Sequence, residues 1–120
     1  MHSFVPGDFL VWRPFENGAT VGQRGSEDGV IVRDEEHELG ARITLERDCS
    51  RGVPFAVTCG IYGWFFHTRF LGSKAEAEFP VMMDELAAIL DIIPRADDPD
   101  AHSKCVGVSE AIQGFVERFP

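Results

Sequence analysis

The chain lacks most of the short signatures that announce a chemistry. No apolar run approaches the roughly 18 residues that a membrane span requires, so a membrane role is not expected. The three cysteines, Cys49, Cys59 and Cys105, show no CxxC spacing, which leaves zinc-ribbon and dithiol redox work without a motif. His2, His37, His67 and His102 have no HxH or HxxxH spacing, and Asp97-Asp98-Pro99-Asp100 lacks the alternating acids, glycine and final glutamate of a calcium loop. No metal and no cofactor is therefore expected. Neither GxGxxG nor GxxxxGK[ST] occurs, so a phosphate cradle is not indicated. Met1–Asp8 has no charged n-region followed by an apolar stretch, which does not read as a secretory signal. With an odd set of unpaired cysteines, this points to a reducing, cytoplasmic setting.

Positive charge is also scarce. Twenty acidic residues oppose eleven Lys and Arg, for a formal net charge of −9, and no two cations are adjacent. That balance repels phosphate backbones, and a nucleic-acid partner is not expected. Residues 27–48 hold eight acids and three bases, and 76–100 hold eight acids and one base. The plain explanation is solvated faces that keep the chain soluble. The sharper one is an acidic patch at Asp34, Glu35, Glu36 and Glu38 that docks a basic protein by complementary charge.

What is present is ordinary globular material. The 120 residues are 44% hydrophobic and 26% charged, enough for one domain spanning 1–120. Residues 8–13 form a short apolar run closed by Pro14, a first strand. Residues 14–28 are a glycine-rich loop. Val30-Ile31-Val32 opens a strand, and Arg42-Ile43-Thr44-Leu45-Glu46 alternates with the period of a half-buried one. Phe55–Ile61 and Trp64–Phe70 read as a hairpin around Tyr62-Gly63.

The faces of that hairpin matter most. An even loop places Phe55, Val57, Cys59, Trp64, Phe66, Thr68 and Phe70 on one apolar face. Ala56, Thr58, Phe65, His67 and Arg69 then lie on the other. An odd loop splits the apolar sets, so the even register is expected. In it Cys59 and His67 part, which removes a thiolate–imidazole nucleophile.

Ser73-Lys74-Ala75-Glu76 has the form of a capping box. Ala75, Phe79, Met82, Met83, Leu86, Leu90 and Ile93 then recur at helical spacing. Pro80 predicts either a kink or a helix that begins there. Pro94 ends the helix, residues 94–104 form a polar linker, and Val108, Ile112, Phe115, Val116 and Phe119 suggest a short C-terminal helix. The expected fold is α+β: a mainly antiparallel sheet of about five strands, one long helix on one face and one short helix.

Thirteen aromatics are present, and six lie between Phe55 and Phe70. In the even register Phe65 is stranded on the second face with Thr58, His67 and Arg69. Aromatic and Arg residues together are typical of interface centres. The expectation is a non-catalytic interaction protein that self-associates as a homodimer or binds a protein partner, an acidic inhibitor or immunity-type protein being one form. The alternative is a small enzyme or ligand-binding domain with a pocket near His67 and Arg69, rimmed by Thr58, Tyr62 or Cys49.

Overall fold

The computed structural model of the protein describes residues 11–120. Of the expected first strand, residues 8–10 lie outside the described residues. The elements run β1 (Trp12–Pro14), β2 (Val30–His37), β3 (Ala41–Arg47), β4 (Phe55–Ile61), β5 (Phe65–Leu71), α1 (Ala75–Ile92) and α2 (Ala101–Arg118). The five strands form one antiparallel sheet in the order β1-β2-β3-β4-β5, each pairing with its sequence neighbour. The α+β class follows. Among the described residues, no helix is long and apolar enough to cross a membrane.

Period-two alternation in β3 sets the two faces of the sheet. Ala41, Ile43 and Leu45 point to one side and oppose Ile61, Cys59 and Val57 of β4. Against them α1 packs Ala75, Phe79, Met82, Met83, Leu86, Ile89 and Leu90, a stripe at helical spacing. We call this the helix face and its opposite the outer face.

Two helix details differ from expectation. The helix runs through Pro80 without starting there, and the exposed ring leaves its missing hydrogen bond on the solvent side. No capping box forms: Lys74 takes the N-cap position in a left-handed conformation (φ 62°) with no side-chain cap. The C-terminal helix is not short either. It has 18 residues, as many as α1, and takes up residues 101–104 of the expected linker. Only Val108 and Phe115 of this helix are buried, with Phe119 just beyond its end.

The glycine-rich loop folds back over the outer face and is tied to it. The Gly22 N–H donates to the Ile31 carbonyl, and the Ile31 N–H to the Gln23 carbonyl. Beneath the loop lies Glu46, wholly buried, whose carboxylate accepts the Glu27 and Gly29 N–H groups at 3.1 Å each. A Cβ on Gly25 would collide with that carboxylate, so the backbone comes this close only because the residue is glycine. The loop thus covers the outer face over β2 and β3, and the exposed aromatic side chains of that face, Phe66 and Phe70, lie on β5.

Candidate functional site

The turn between β4 and β5 decides what that face shows. Ile61 pairs with Phe65, so Tyr62, Gly63 and Trp64 form a loop of three. The Trp64 N–H donates to the Ile61 carbonyl, and Gly63 at the third turn position has the positive φ (81°) that a type II turn needs there. The loop is therefore odd, and the even register is corrected. Cys59 faces His67, Val57 faces Arg69, and Thr58 faces Thr68. The expected set divides: Phe65, His67 and Arg69 lie on the helix face, and Thr58 lies on the outer face.

On the helix face the polar residues of β5 are engaged within the chain. His67 Nε2 lies 2.6 Å from the Phe119 carbonyl oxygen, which can only accept, so Nε2 carries a proton. Arg69 grips Glu78 through Nε (2.9 Å) and Nη2 (3.2 Å), and Nη1 donates to the Pro120 main-chain oxygen at 3.0 Å. Phe65 is not stranded; its ring meets Phe115 edge-on with centroids 5.8 Å apart. The end of α2 thus does for His67, Arg69 and Phe65 what solvent or a partner was expected to do.

Cys59 and His67 do share a face, contrary to expectation. Burial nevertheless pushes the Cys59 thiol up to about 12, so it stays protonated at neutral pH and is no nucleophile. Cys49, expected at the rim of a pocket, is buried. Burial and then the carboxylates of Glu46, Glu27 and Asp48 raise its thiol as well.

The acidic run at 34–38 is built into the fold. Asp34 is buried and accepts four hydrogen bonds: Arg42 Nε (3.0 Å) and Nη2 (2.8 Å), Thr20 Oγ1 (2.9 Å) and Thr44 Oγ1 (2.9 Å). The Arg42 guanidinium in turn lies 3.6 Å from the centroid of the Phe15 ring. Glu35 pairs with Arg33, Glu36 accepts the Tyr62 hydroxyl at 2.5 Å, and Glu38 pairs with Arg13. Asp34, Glu35 and Glu36 point to both sides of β2; each of the four carboxylates has a partner, while Glu35 Oε2 is buried with none among the described residues. Among the described residues, no group of three or more His, Cys, Asp or Glu is placed to hold a metal ion.

The large hydrophobic side chains left on the outer face of β5 and its turn are aromatic. On the outer face Phe66 is 83% exposed and Phe70 54%, and Tyr62 at the turn is 54% exposed. Beside them lies an open groove of about 440 Å³, lined by Arg42, Thr58, Gly60, Tyr62, Trp64 and Phe66. Its floor is Gly60, where a Cβ would collide with the Phe65 carbonyl oxygen. Burial of the phenol end and its bond to Glu36 push Tyr62 up to about 12, so the groove carries no phenolate. The pattern of Phe66, Thr68 and Phe70 was in the sequence, but assigned to the core. Gly63 was the signal that moves it outside, because a glycine at the third turn position takes Trp64 into the loop. No family model, curated protein or solved structure matches the chain.

Proposed function

We propose that this chain is a non-catalytic interaction protein and that its docking surface is the outer face of β4 and β5. The observation that carries this reading is the exposure of Phe66 and Phe70 on the same face of one strand, with Thr68 between them. Burying a phenylalanine from water is worth about 2–3 kcal/mol, and a folded monomer gains nothing by leaving two neighbours in solvent. Sheet positions hold such rings in fixed orientation, which lowers the ordering cost of docking. Of the residues singled out for chemistry, the Cys59 thiol stays protonated, and His67 and Arg69 are bound to Phe119 and Pro120. The paired carboxylates at 34–38 enter this reading as supports for the loop and turn rather than as the contact surface.

The test is affinity capture from extract of the cells the protein comes from. Wild type and a Phe66→Asp/Phe70→Asp variant serve as baits. The reading expects a protein, further copies of the chain included, that wild type retains and the variant loses. That protein, once purified, should bind wild type directly. Identical sets on both baits overturn the reading.

A further inference from the structure

We propose that a second copy of the same chain adds antiparallel along the β5 edge of this surface, with Thr68 facing Thr68 across a two-fold axis, so that the outer faces of the two copies become continuous. The inference rests on the docking surface just described and names its partner.

The two edges of the sheet are built differently. β1 has three residues and ends in Pro14, which cannot donate to a further strand. β5 has seven residues, Phe65–Leu71, with neither proline nor lysine to blunt it. A long edge without such protection is a template for strand addition. Its main-chain groups have a definite phase. The Ile61 carbonyl is turned toward β5, where it accepts the Trp64 N–H. Alternation from that point turns the N–H and C=O groups of His67 and Arg69 toward β4, and those of Phe66, Thr68 and Phe70 outward.

The outward set is its own complement. Phe66 and Phe70 stand two residues either side of Thr68. In an antiparallel pair centred on Thr68, each Phe66 faces Phe70 of the other copy. All three facing positions then fall at hydrogen-bonded sites, giving about six ladder bonds. The side chains of the three lie on the outer face, so the same register forms two cross-strand aromatic pairs there. A shift of one residue would break both patterns. The helix-face neighbours tolerate this register. His67 would face Arg69 of the other copy, but the Arg69 charge is already met by Glu78, and His67 donates to Phe119.

Charge and area set the strength. Two chains of net charge −9 repel. The contact strip carries no charged side chain on its outer face, so it does not add to that repulsion. The strip is smaller than the roughly 800 Å² per partner of a standard interface, which points to a concentration-dependent dimer rather than a permanent one.

The experiment combines sedimentation velocity with disulfide trapping in a Cys105→Ser background. Wild type should pass from monomer to dimer between micromolar and near-millimolar concentration, and Phe66→Asp should stay monomeric. Thr68→Cys should form a disulfide dimer under mild oxidation, since facing hydrogen-bonded positions lie about 5.5 Å apart at Cα. Phe66→Cys and Phe70→Cys should each cross-link poorly alone, because equal positions sit about 14 Å apart along the strands. Mixed, they should cross-link readily. A wild type that stays monomeric throughout overturns the inference. So does a dimer that survives Phe66→Asp, or cross-links that ignore this register. If wild type is monomeric while the double aspartate variant still loses a different captured protein, the second copy is excluded and the docking surface stands.

Discussion

Replacing Glu46 should loosen the glycine-rich loop before anything else. Its carboxylate is wholly buried, yet among the described residues it pairs with no cation; it is held by two main-chain donors, Glu27 N–H and Gly29 N–H, at 3.1 Å each. Hydrogen bonds to a charged acceptor contribute about 1.5–3 kcal/mol each, and a buried donor left without one costs about 1–3 kcal/mol. Gly29 is buried and Glu27 half-buried, so the first loss should count nearly in full and the second in part. Glu46→Ala should therefore cost about 3 kcal/mol. Glu46→Gln keeps one acceptor in place and introduces an unmatched NH₂ donor, so it should cost about 1–2 kcal/mol.

The measurement is urea unfolding of both variants with amide hydrogen exchange on the native state. At about 4 °C per kcal/mol for a domain of this size, the alanine variant should melt roughly 10 °C lower. Exchange should quicken at residues 22–29 while β4 and β5 change only with global stability. Equal stability of wild type and Glu46→Ala, or faster exchange spread evenly over the sheet, would show that the carboxylate does not anchor the loop.

Gly60→Ala should destabilise by about 1–3 kcal/mol in urea unfolding, because the new Cβ meets the Phe65 carbonyl oxygen and the Phe66 main chain. Phe65→Ala should cost about 2 kcal/mol by removing the ring packed on Phe115, whereas Phe66→Ala should stay within about 0.5 kcal/mol; the opposite ranking would refute the odd turn. Cys105 alone should react with a thiol reagent on the native protein at pH 8, because Cys49 and Cys59 are buried and their thiols are raised. Burial lowers the pKa of His37, whose Nδ1 accepts the Leu39 N–H at 3.1 Å. Its contribution to stability is complete above the unfolded value of about 6.5 and is lost as pH falls through the lower folded value, so His37→Asn should flatten the urea stability profile in that window.

Where a strand or helix has one buried side, its side was legible. Arg42–Glu46 alternates because Ile43 and Leu45 meet α1, and the Ala75–Leu90 stripe is the other half of that contact. Both were readable because one apolar surface packs on another. The outer face of β3 already escapes that logic. Thr44 and Glu46 are buried there beneath a loop whose covering role no periodicity announces. Asp34 to Glu38 looked like a solvated acidic tip because partners such as Thr20 and Tyr62 come from distant parts of the sequence.

The hairpin failed for a related reason. Matching apolar to apolar across two strands presumes that both bury the same side equally. β5 is an edge, and its helix side is closed by the end of α2, which offers carbonyl oxygens as well as rings. A histidine and an arginine are satisfied there as well as aliphatic side chains would be, which frees the alternate positions for Phe66 and Phe70. Phe66 and Phe70 depart from the core pattern on this side, and they sit on β5, the longer of the two edge strands among the described residues.

Salt separates the two surfaces this leaves in contention. Contact through a basic partner would weaken as ionic strength rises, because exposed charges are screened over about 10 Å at 0.1 M. Contact through the aromatic strip between copies of net charge −9 should hold or strengthen, since salt screens their mutual repulsion and leaves burial of the rings intact. Sedimentation of the wild type at low and high salt should therefore show the dimer fraction level or rising; a clear fall would show that ion pairs rather than the aromatic strip hold the copies together.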